Sequence, residues 1–267
     1  MGASVDTVTP TRRTVVRSAA WSVPVVAASM GAPAFAASPC ATSYPWHLDW
    51  GDNTTDDAFT TTYSVVKPPG ANTIHIGTAV VTGPPGSSPV TVVFKNSVVG
   101  TDRRDPTNLT VENGTTNIGG LGAQERGLLL WNTAILEGRE ASRQVVEVSF
   151  SREVTNLRFT ITDIDSNNEL WSSNDYRDQV ELTGSRTALA TRRGRTNFYV
   201  GGLGTPTSPW QMYNNDTATD DRADDRGNLA ITYDGPLTSF QLDYWNASGR
   251  GQQAIFLSDL TFDALGC

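Results

Sequence analysis

The sequence predicts an all-β chain, an antiparallel β sandwich or jelly roll in a single domain, and three observations carry that reading. Short runs rich in β-branched and aromatic residues recur between clusters of Gly, Pro, Asn and Asp, and many of them alternate apolar and polar positions. No segment sustains a helical period of eleven or more residues. Roughly a dozen such runs at close spacing are the pattern of two packed sheets or a jelly roll.

Taken in order, the runs begin with YPWHLDW (44–50), AFTTTYSVV (58–66) and TIHIGTAVV (73–81). The turn segments KPPGAN and TGPPGSSP punctuate them, because Pro fixes φ and Gly accepts turn conformations other residues avoid. VTVVF (90–94), LTVEN (109–113) and GLLLW (127–131) follow, and then TAILEGREASRQ (133–144), the best candidate for a short helical turn. VVEVSFS (145–151), LRFTITDID (157–165) and DQVELT (178–183) alternate most cleanly. The last runs are NFYVGG (197–202), NLAITYD (228–234), TSFQLDYW (238–245) and AIFLSDLTFD (254–263), with YDGPLT turning between two of them. The tetrad GGLG occurs at 119 and again at 201, and we read both as turn chemistry because the flanking sequence does not repeat.

The first residues are expected to be removed from the fold. TRRTVVR (11–17) is a twin-arginine start, a weakly apolar run follows, and APAFAAS supplies small residues at a cleavage site. We place a twin-arginine (Tat) signal peptide at 1–36 and the β-sandwich domain at 37–267. The apolar run holds Pro24 and Ser29 and is shorter than the roughly 20 apolar residues a bilayer span needs. The expected location is therefore extracellular or at the cell surface, with no membrane insertion of the mature chain. The whole chain has 20 basic and 28 acidic residues. Without Arg12, Arg13, Arg17 and Asp6 of the signal, 17 and 27 remain, a formal charge of −10. A field of that sign disfavours nucleic acid as a partner. Cys40 and Cys267 are the two cysteines, and in an oxidising compartment a disulfide between them is the default.

Part of the chain resembles a known module. VVEVSFSREVTNLRFTITDIDS…YRDQVEL, followed by GNLAITYDGPLTSFQLDYWNASGRGQQAIFLSDLTF, is similar over 145–262 to the lectin-like β sandwich of bacterial surface adhesins of the CshA non-repetitive-domain type. Its most specific parts are the DID…RD pair and the final LSDLTF. The resemblance implies a secreted, non-catalytic surface binding module whose partner is a glycan or an extracellular host or matrix protein.

Candidate site residues concentrate in FTITDIDSNNELWSSNDYRDQVEL (159–182). Strand alternation puts Asp163 and Asp165 on the face of Phe159 and Ile161, and Asp178 on the face of Val180 and Leu182. If 157–165 and 178–183 pair as a hairpin, Asp165 and Asp178 face each other at the mouth of the loop. Like charges so placed are destabilising, and burial adds a desolvation cost. A Ca²⁺ ion held by Asp163, Asp165, Asn167 and Asp178 would compensate, as would backbone N–H groups or an arginine. The spacing imitates an EF-hand only partly, since Asn168 and Asn174 stand where Gly and the bidentate Glu belong. Trp171, Tyr176, Trp210, Tyr213 and Trp245 are the aromatics near loops on which a sugar could stack. The alternative for each is a cap on the core. NNDTATDDRADDRGN (214–228) and SRTALATRRGR (185–195) read as solvated loops, with a second cation site and an anionic-polymer dock as their respective alternatives. No G-x-S-x-G elbow or H-E-x-x-H pair is present. A carbohydrate-active hydrolase needs only two suitably spaced carboxylates, and it stands as one alternative. A structural component of the cell envelope is the other.

Overall fold

A computed structural model describes residues 39–51, 58–70, 73–100, 103–111, 117–133, 138–139, 142–169, 175–192, 199–214, 217–219, 222–248 and 251–267. The proposed signal peptide, 1–36, and Trp171 lie outside the described residues. A 3-10 turn at Pro39–Ala41 leads into β1 (Ser43–Leu48), β2 (Thr60–Val66), β3 (His75–Thr82) and β4 (Val90–Gly100). Next come β5 (Arg103–Arg104), β6 (Leu128–Thr133), β7 (Ser142–Thr162), β8 (Ser166–Asn167) and β9 (Tyr176–Gly184). The chain closes with β10 (Leu189–Arg192), β11 (Val200–Gly201), β12 (Trp210–Met212), β13 (Leu229–Tyr233), β14 (Leu237–Asn246), β15 (Gln252–Leu257) and β16 (Leu260–Leu265). All the strand pairs are antiparallel, so the predicted β sandwich is the fold.

The 21-residue strand β7 belongs to both sheets. Its first half pairs with β4 and β14 in a sheet ordered β2-β3-β4-β7-β14-β9-β12-β11. Its second half pairs with β13 on one edge, and with β16 and then β15 on the other. β10 extends this second sheet beyond β13, β1 extends it beyond β16, and β6 and β5 extend it beyond β15. Even-numbered residues Val146, Val148 and Phe150 are buried in the first half, and odd-numbered Leu157, Phe159 and Ile161 in the second. The phase changes at Asn156, which has a φ of 52°. There the register with β16 slips, because Thr155 pairs Asp263 while Arg158 pairs Thr261. An inserted residue of this kind bends a strand and switches which side faces inward.

Aromatic side chains from both sheets fill the interior. Phe159 stacks on Phe240 at 5.4 Å, Phe150 meets Phe262 at 5.3 Å, and Trp50 lies between Tyr63 and Phe94. Each fully buried side chain of this kind contributes roughly 1.5–3 kcal/mol. The Cys40–Cys267 disulfide forms as the sequence implied, across 227 residues, because β1 and β16 pair along their full six-residue lengths.

Three expectations need correcting. The segment 157–165 does not pair with 178–183 as a hairpin, since β14 stands between β7 and β9; only Ser166–Asn167 folds back on Tyr176 and Arg177. The helical turn at 133–144 is not supported where it is described: Gly138 has a φ of 96° and 142–144 already belong to β7. LTVEN is no strand over its described residues, because Leu109 takes a φ of 57° and only Val111 forms a single bridge, to Leu128.

Candidate functional site

The three acids of the DID…RD segment converge at one end of the sandwich. β7 ends at Thr162, and Asp163 adopts a φ of 67°, which turns the chain toward β8. Asp165 then lies opposite Asp178, whose N–H donates to the Asp165 carbonyl at 3.0 Å. Asp178 is fully buried and accepts from the Tyr244 hydroxyl at 2.8 Å and the Asp165 N–H at 3.1 Å. Asp165 Oδ2 accepts from the Thr219 N–H at 2.7 Å and the Tyr176 hydroxyl at 3.1 Å. The Thr219 hydroxyl donates to Asp163 at 2.8 Å. Backbone N–H groups and hydroxyls therefore meet these carboxylates. Burial, opposed by those hydrogen bonds, pushes the Asp165 carboxyl up to about 6. Burial and the neighbouring Asp165 push Asp178 well above the usual carboxylate range. Asn167 stands apart, half-buried, its amide directed to Glu169 at 3.4 Å.

The loop aromatics separate by exposure. Trp210 is 3% exposed, with its ring so close to Gly204 that a Cβ there would collide with it. Trp245 is 2% exposed, and the Arg139 guanidinium covers its ring at 5.8 Å. Neither offers a face to a sugar, which corrects the expectation for both: they complete the packing of β12 and β14. Tyr176 is half-buried with its hydroxyl committed to Asp165, whereas Tyr213 is 79% exposed. In the acidic loop Asp224 pairs with Arg226 at 2.9 Å. In the basic segment Arg186 donates to the Pro236 carbonyl at 3.3 Å.

A second arrangement was not foreseen. On the outer face of the second sheet an open groove of about 810 Å³ runs across the strands. The Asn117–Glu125 loop walls one side. Asn117 has a φ of 62° and Gly119 one of 53°, and Asn228 donates to the Gly119 carbonyl at 2.7 Å in a space too close for any Cβ. At one end His47 Nε2 lies 3.2 Å from Asp259 Oδ2, while Asp259 Oδ1 accepts the Trp50 N–H at 2.7 Å. The Asp259 N–H donates to Glu125 Oε1 at 3.3 Å. Burial, then the charges of Asp259 and Asp49, push the Glu125 carboxyl up to about 7. Asp259 belongs to the LSDLTF segment, where Ser258 and Asp259 interrupt the apolar run between β15 and β16. That interruption is the signal by which sequence alone could have found it. Among the described residues no cluster of three or more His, Cys, Asp or Glu is arranged to hold a metal ion.

No family model matches the chain, and no curated protein sequence matches it. Among solved structures the fold is similar to the N-terminal domain of the Streptococcus gordonii adhesin Sgo0707, with a TM-score of 0.34 and 9% sequence identity. That match covers 83% of this chain and 64% of the other, so this chain spans less than two thirds of its neighbour's length. At that level the likeness carries no argument about function.

Proposed function

We propose that the chain is an exported, non-catalytic, adhesin-like binding domain that holds an extracellular ligand along the groove of the second sheet. The groove is the observation that carries this reading. It is open, walled by an ordered loop, and bordered by the polar side chains His47, Asp49, Glu125, Arg158 and Asp259. Concave sites with a few convergent polar groups are where ligands bind. The twin-arginine start and the Cys40–Cys267 disulfide fit an oxidising, extracellular setting. In this reading a shared proton, rather than Ca²⁺, balances Asp165 and Asp178, whose oxygens already accept from Thr219, Tyr176, Tyr244 and the Asp165 N–H.

The direct test is attachment of the purified domain to glycan and matrix-protein arrays, repeated with Asp259→Asn and with Tyr213→Ala. The groove reading expects the first substitution to weaken retention and the second to leave it unchanged. Retention lost only with Tyr213→Ala would move the site to the other sheet. One observation favours a second reading: a carboxyl raised to about 7 beside a second carboxylate is the arrangement of a glycosidase acid and its partner. Release of reducing ends from polysaccharides, abolished by Glu125→Gln, would establish the hydrolase instead.

A further inference from the structure

Resting on the groove reading above, we infer that its ligand is a glycan carrying an isolated carboxylate, as in a sialylated or uronate-containing chain, and that Arg158 grips that carboxylate. The strand register carries the inference. Thr232 of β13 pairs Arg158 of β7, Arg158 pairs Thr261 of β16, and Thr261 pairs His47 of β1. Leu189 of β10 continues the same row beyond Thr232. This row crosses five strands, a track of roughly 19 Å at the usual spacing between strands.

Arg158 stands in the middle of that track. It is exposed, and among the described residues it forms no ion pair and no side-chain hydrogen bond. Two described arginines near this sheet are occupied: Arg152 donates to the Leu265, Ser88 and Pro89 carbonyls, and Arg226 to Asp224. A second depression of about 450 Å³ shares His47, Arg158 and Thr261 with the groove, so Arg158 borders both hollows. A planar, five-donor fork held open between two hydroxyls matches a carboxylate in two parallel hydrogen bonds.

The remainder of the surface selects the rest of the ligand. Thr191, Thr232 and Thr261 line the groove with hydroxyl-bearing side chains, and Asp49 and Glu125 line it with carboxylates. These groups suit the hydroxyls of a sugar, whereas a protein partner would need the aromatic and apolar anchors that interfaces use. The same wall carboxylates, and a chain of formal charge −8, oppose a densely charged polyanion. One carboxylate per repeat, flanked by neutral hydroxyls, satisfies both constraints.

The test is isothermal titration of the domain with sialyllactose and a hyaluronan hexasaccharide. Lactose and the carboxyl-reduced hexasaccharide serve as neutral counterparts. At least one acidic probe is expected to bind roughly tenfold tighter than its counterpart, the worth of one charge-assisted pair. Arg158→Lys should erase most of that preference and Arg158→Ala all of it, with the melting temperature unchanged because the side chain is exposed. Thr232→Val should cost a smaller factor. Equal binding of acidic and neutral probes, reduced by Asp259→Asn but not by Arg158→Ala, would overturn the carboxylate assignment and leave the groove standing. Binding of a matrix protein alone, weakened by Asp259→Asn, would overturn the glycan assignment while keeping the site. If no ligand is sensitive to any groove substitution, both readings fall.

Discussion

Asp178→Asn is the substitution that interrogates the acid pair most directly. Asp178 is 0% exposed and Asp165 is 4% exposed, and the pair accepts only N–H and O–H donors. A carboxyl whose value is raised in the fold contributes stability that is fully present below its unfolded value. That contribution is lost as pH rises through the folded value. For Asp165 the rise from 3.8 to about 6 spans about two pH units. The corresponding loss between pH 4 and 6 is on the order of 3 kcal/mol, or roughly 6–12 °C of melting temperature for a domain of this size. Asparagine at 178 keeps one acceptor and adds two donors, so it stands permanently in for the protonated acid. The Tyr244 hydroxyl can reverse its role and accept. Thermal melts from pH 4 to pH 8 should show the wild type losing stability across pH 4–6, while Asp178→Asn loses only the part that Glu125 contributes and exceeds the wild type at pH 8. Parallel curves for the two proteins would refute the shared proton. So would a wild-type midpoint at pH 8 that rises by several degrees with Ca²⁺ and falls with chelator, since a cation would then be doing the balancing.

Three further outcomes are expected. Cys40→Ala, read by thermal unfolding without reductant, should cost about 5 kcal/mol by loop-closure entropy, or roughly 10–20 °C. A shift of only a degree or two would show that the β1–β16 pairing alone constrains the chain ends. Trp210→Ala should lower stability by about 3–5 kcal/mol through the cavity left beneath the Gly204 turn. Ligand retention by the folded fraction should remain, as a sugar platform at Trp210 would not allow. Glu125→Gln should remove the part of the pH dependence that runs from about 4.5 to about 7, because its carboxyl is raised in the fold. A pH profile unchanged by that substitution would count against the coupling of Glu125 to Asp259.

Much of this molecule can be read locally, and what cannot be read is long-range. Alternation is a property of adjacent residues, so most strands and the inward Asp178 follow from it, whereas Asp165 reaches Asp178 through the turn at Asp163 and not along β7. The neighbours of a strand do not. β14 separates β7 from β9 although it follows them by more than fifty residues, and no periodicity announces that. Asn156 reverses the inward face midway through one continuous strand, which a strict period of two cannot express. Trp210 and Trp245 look exposed in sequence because they border turns. They are buried because Gly204 and Arg139 cover them, and both contacts depend on tertiary placement. The groove was the least legible part: His47 and Asp259 meet across 212 positions, and the row through Arg158 draws one residue from each of five strands.

The shared strand β7 has a mechanical meaning as well. Its first half is hydrogen-bonded on both edges within one sheet and its second half on both edges within the other. Neither sheet can slide over its partner without breaking the ladder of that strand, so β7 acts as a splint that makes the two layers yield together. A pull on a glycan held at Arg158 would be felt four residues from Thr162, where the strand ends just before the Asp163 turn. The load would cross the sandwich along covalent backbone instead of prising its layers apart.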